Sequence, residues 1–100
     1  MTMNDTESQA KQVIADSNAN RKKFLQAEID TCWLALDFAT LQLQMGYVEF
    51  GQREVRVIEA ACQTVLRFLP DIEDAEARAK FTDDIEQVSA RLENLKRKLL

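Results

Sequence analysis

The sequence predicts an all-α fold: an antiparallel three-helix up-down-up bundle, with helices over about 21–45, 48–69 and 82–98, preceded by a polar N-terminal extension that is helical or frayed. Three observations predict it. Glycine occurs twice and proline once in 100 residues, while Ala, Leu, Glu, Gln, Lys and Arg dominate, a composition that favours helices and leaves few places to interrupt them. Apolar residues recur at steps of three and four, the helical period. The content is 46% hydrophobic and 30% charged, which suits one compact core with solvated outer faces and argues against disorder. A chain of this length makes one domain, so residues 1–20 form the extension and residues 21–100 the bundle.

In the first helix Leu25, Ile29, Cys32, Leu36, Ala39 and Leu43 make one stripe. Phe24, Ala27, Thr31, Leu34, Phe38, Leu41 and Met45 make a second beside it, so this helix has enough apolar surface to touch two neighbours and is expected to be central. Upstream, the run DSNAN at 16–20 is the expected break, with Asn18 or Asn20 as N-cap. Before it only Val13, Ile14 and some alanines are apolar.

The second helix carries Gly51, Val55, Ile58, Cys62, Val65 and Leu69, with Phe50, Glu54, Val57, Ala61 and Phe68 alongside. It ends before Pro70, which disfavours helical geometry in the residue preceding it. In a tight antiparallel hairpin, residues at the same height have numbers that add to a constant, here about 94. That constant sets Leu43 beside Gly51, Ala39 beside Val55, Leu36 beside Ile58 and Cys32 beside Cys62, apolar or small at every level. Gly46 then reads as the left-handed residue that closes the first helix. The spacing from Gly46 to Gly51 also resembles a phosphate-binding loop, but such a loop follows a strand and continues with Lys-Ser/Thr. Here a helix precedes and Gln52-Arg53 follows.

The third helix is marked by Phe81, Ile85, Val88, Leu92, Leu95 and Leu99. Thr82 is the expected N-cap, Asp83 and Asp84 complement the positive end of the dipole, and Lys96, Arg97 and Lys98 the negative end. The acidic connector at 71–81 fits either helical turns or an ordered loop.

The same inventory narrows function. No histidine is present, which removes the usual general base and most zinc sites. Cys32 and Cys62 pair in the apolar seam as core thiols, where burial makes them inert. Glu54 is the one carboxylate on a stripe that looks buried, too little for a catalytic pair. No enzyme activity, cofactor or metal is therefore expected. No apolar run is long enough for a membrane span, and the N-terminus is too polar for a secretory signal, so the expected location is cytoplasmic with free thiols. Net charge is −4, which disfavours nucleic acid and anionic membranes. The function expected is protein–protein interaction or self-association, with Val13, Ile14, Trp33, Tyr47 and Phe50 as the candidate partner surface. The alternative is a nucleic-acid-associated regulator working through the basic clusters at 21–23 and 96–98.

Residues 35–58 resemble a degenerate tetratricopeptide-repeat hairpin, with small Ala39 in the first helix, Gly46 at the turn, Gly51 early in the second helix and Val55 four residues on. Ile58 stands where that family prefers a small residue, Phe38 where it prefers leucine, and no second copy follows. The resemblance implies a helical protein-binding surface.

Overall fold

The computed structural model describes residues 3–99, and side chains from residue 9 onward apart from those at 11 and 13–15. It is an all-α bundle of α1 (Met3–Gln44), α2 (Val48–Phe68) and α3 (Ala75–Leu99), with a 3-10 turn at Leu69–Asp71. None of these helices is long and apolar enough to cross a membrane.

α1 is one rod of 42 residues, and the break expected at 16–20 does not form. Two of the polar side chains that compete with a helix elsewhere, Asp16 and Asn18, are occupied here. Gln12 donates to Asp16 along the helix surface, and Asn18 Nδ2 donates to Glu73 Oε2 at 3.0 Å instead of capping a new helix. Lys22 Nζ reaches Asp74 Oδ2 at 3.0 Å, so the chain segment before α3 braces α1 from the side. Phe24 meets Phe68 at the end of α2, ring centroids 5.8 Å apart. The helix upstream therefore projects about 30 Å beyond its neighbour, at about 1.5 Å per residue. The molecule is correspondingly elongated, 66 × 21 × 16 Å.

The hairpin turns at Gly46, whose φ of 85° is the left-handed conformation only glycine adopts without strain. The Gly46 N–H donates to the Leu43 carbonyl and the Tyr47 N–H to the Gln42 carbonyl, the double bond pattern that satisfies the last orphan carbonyls of α1. Gly51 supplies a close approach instead, since a Cβ there would lie 3.0 Å from Leu43 Cδ2. Cys32 and Cys62 are both buried, and their thiols meet across the seam in a hydrogen bond. The register of α1 on α2 is thus the one that the two apolar seams dictate.

α3 starts seven residues before the position expected from Thr82. Asp74 is the cap, its Oδ1 accepting from the backbone N–H groups of Glu76 at 3.0 Å and Ala77 at 3.3 Å. The Ala-rich run that follows is a strong helix former, so the connector joins the helix. Thr82 sits inside it and donates to the Arg78 carbonyl. The inward stripe of Phe81, Ile85, Val88, Leu92 and Leu95 is buried as the spacing requires. It closes the core formed by Leu25, Ile29, Leu36, Ile58 and Val65, with Ile72 plugging the end beneath the 3-10 turn.

Candidate interaction face

The second neighbour does not cover the second stripe of α1. Asn18 and Lys22 fix the start of α3 on one flank of α1, and at about 3.6 residues per turn that flank continues through Trp33, Leu36 and Thr40. α3 follows it: Arg91 lies 5.4 Å over the Trp33 ring and reaches Asp37 Oδ1 at 3.3 Å, while Lys96 Nζ meets Glu59 Oε1 at 3.0 Å on α2. The opposite side of the hairpin stays open. α1 touches both neighbours, as its apolar width predicts, but α3 lies over its Trp33 side, and the stripe from Phe24 to Met45 faces outward.

That open side is an apolar face two helices wide. Phe24, Leu34, Phe38, Leu41 and Met45 stand along α1, and Phe50, Val57 and Phe68 along α2, each between 39% and 73% exposed. Phe24 and Phe68 close one end edge to face, and Tyr47 and Phe50 the other, with centroids 6.2 Å apart. Between the helices the face is floored by buried Ala35 and Ala61 and carries Thr31, Thr64, Glu28 and Glu54 as its polar groups. Arg53 and Arg67 stack over the rings of Phe50 and Phe68 at 5.4 and 5.6 Å, laying aliphatic stems on the rim. Scattered exposed apolar residues are ordinary, but a contiguous patch of this kind marks an interaction surface. Val48 and Leu66, five helical turns apart, are exposed on the other flank of α2 and do not join it.

Of the surface residues the sequence singles out, Tyr47 and Phe50 lie at the turn end of this face, both about half exposed. Trp33 is on the α3 side, half-buried against the core beneath Arg91. The side chains of Val13 and Ile14 fall outside the described residues. Phe24, Leu34, Phe38, Leu41, Met45, Val57 and Phe68 are the face residues not singled out. Their signal was present as surplus apolar width on α1; which flank α3 would take was not.

Asp74 and Lys96 are engaged in holding the bundle. Hydrogen bonding from Lys22, then from the Ala77 N–H, keeps the Asp74 carboxyl below its ordinary range. Hydrogen bonding to Glu59 and its charge keep Lys96 protonated above the usual lysine range. The two basic clusters thus sit at opposite ends of the bundle, each with a lysine already paired to a carboxylate. Glu54 is half-buried beside the open face. The Cys32 thiol has its pKa raised, first by its hydrogen bond to Cys62 and then by burial. Among the described residues, no group of three or more Cys, Asp or Glu side chains is placed to hold a metal.

Fold and face together define an all-α three-helix bundle with one long uncovered side. Comparison with family models, curated proteins and solved structures finds no match to this chain.

Proposed function

We propose that the chain is a self-association module, in which two copies bury the open α1/α2 face against each other. The observation that carries this reading is the continuous row of eight large apolar side chains, Phe24 to Met45 on α1 and Phe50 to Phe68 on α2, left outside the core. The row spans about 32 Å at about 1.5 Å per residue, and two helices side by side are about 20 Å wide. The footprint is on the order of 600 Å², close to the roughly 800 Å² per partner that stable complexes bury. A face spread over two helices fits another two-helix layer better than a single peptide. A second copy supplies such a layer with the same apolar content.

Light scattering on the eluting protein tests this. Phe38→Glu and Leu34→Glu place a charge in the middle of the face at positions outside the core. Both variants are expected to be folded monomers at concentrations where the unaltered chain is dimeric. Unchanged mass in the two variants and the parent would remove the open face from the assembly.

A further inference from the structure

Resting on that reading, we propose that the two faces meet about a dyad running along the hairpin. The acidic outer edge of α1 in one copy then lies against the basic outer edge of α2 in the other. A two-fold contact between two-helix layers has two simple forms. A dyad along the helices lays α1 over the partner's α2; a dyad across them lays α1 over the partner's α1. The edges of the face distinguish the two. At about 100° per residue, Asp30 and Asp37 fall on the edge of α1 away from α2, with Lys23 further toward its N-terminus, and Arg56 and Arg67 on the edge of α2 away from α1, with Glu49 beside the turn. Among the described residues, Asp30 accepts only from Gln26 of its own helix, at 2.9 Å, and the Asp37–Arg91 pair is open to solvent on both sides.

The lengthwise dyad preserves height, so the register seen within one hairpin carries across to the other copy. The structural pairs Leu43 with Gly51 and Cys32 with Cys62 fix that register. Asp37 then comes within about one residue of the level of the partner's Arg56. Asp30 comes within about 4.5 Å along the axis of the partner's Arg67, a span that a long guanidinium side chain covers. At the middle of the face Leu34 lies level with the partner's small Ala60, and Phe38 within about one residue of the partner's Val57. Phe24 and the partner's Phe68 meet near one end, and Met45 and the partner's Phe50 near the other. The crosswise dyad instead sets Asp edge on Asp edge and Arg edge on Arg edge. The lengthwise form has two opposing features: Glu28 and Glu54, half-buried in the valley between the helices, each come level with their own copies, and Lys23 comes within about 6 Å along the axis of the partner's Arg67.

Charge reversal measured by sedimentation at low salt tests the geometry. Asp30→Lys with Asp37→Lys, and separately Arg56→Glu with Arg67→Glu, are each expected to weaken the dimer about ten-fold. All four together should restore it to within about three-fold. Salt gives a second readout on the unaltered protein: the lengthwise dimer weakens as salt rises, whereas the crosswise dimer tightens. Failure of the four-fold variant to recover while it keeps its helicity and melting transition, or tightening with salt, overturns the dyad and leaves self-association standing. An unaltered chain that never dimerises overturns both.

Discussion

Leu34 and Leu36 stand two residues apart on α1 and have opposite fates. Leu36 is 1% exposed between α2 and α3, whereas Leu34 is 73% exposed on the open face. A helix that is apolar over much of its circumference cannot be read as having one inside. What decides is which flank the next element is tethered to, and here Asn18 and Lys22 tether α3 to the Trp33 side. The core that stabilises the single chain and the face proposed for association therefore lie on different sides of the same helix.

The sharpest way to break that division is to shorten both leucines. Leu36→Ala is expected to destabilise the chain by about 2–5 kcal/mol, because it opens a cavity in a packed core. Leu34→Ala should leave the stability of the monomer within about 0.5 kcal/mol and weaken association instead. Chemical denaturation at low concentration reads the first effect and light scattering the second. Equal destabilisation by the two would mean that the faces are not distinct.

The turn that aligns the two faces comes next in size. Gly46→Ala forces an alanine into the left-handed region and should cost about 1–2 kcal/mol by denaturation, although nothing lies within 4 Å of the added carbon. Gly51→Ala differs in kind. Its Cβ would press on Leu43 at 3.0–3.1 Å, while the helix gains up to about 1 kcal/mol of propensity. The two terms oppose each other, so a smaller net change than at Gly46 is expected.

Smaller still is the tether itself. Asp74 has its pKa depressed by Lys22 and by the α3 backbone, so its contribution is complete above its ordinary value of 3.8 and is lost as pH falls below that, through the folded value. Protection of the amides at the start of α3, taken relative to intrinsic exchange, should therefore fall below about pH 4. Asp74→Ala should lower the melting temperature and remove most of that pH dependence. On the covered side, Cys32 and Cys62 should react with a thiol reagent only through opening of the bundle, at a rate that rises steeply in denaturant. Fast labelling in the native state would show that the seam is not closed.

Much of this fold was legible in the sequence because periodicity reports it directly. The stripes from Leu25 to Leu43, Gly51 to Val65 and Phe81 to Leu95 specify three helices, and the hairpin register follows from matching two of them. Gly46 was legible because few other residues end a helix in that way. The boundaries misread are those where polar residues found partners distant in sequence. Asn18 signals a cap locally but bonds Glu73, 55 residues away. Thr82 resembles a cap, but Asp74 lies upstream of an equally helical run. The candidate site was half legible: the width of the apolar surface on α1 was visible, and the flank left bare depended on contacts at 18, 22, 73 and 74 that no local pattern announces.

The measurement closest to the central claim is sedimentation equilibrium of the unaltered chain across a wide concentration range, with Phe38→Glu run beside it. The weight-average mass is expected to rise from one chain toward two and level off there, while the variant stays at one chain throughout. A mass fixed at one chain at every concentration, or a variant that follows the same curve as its parent, would contradict it.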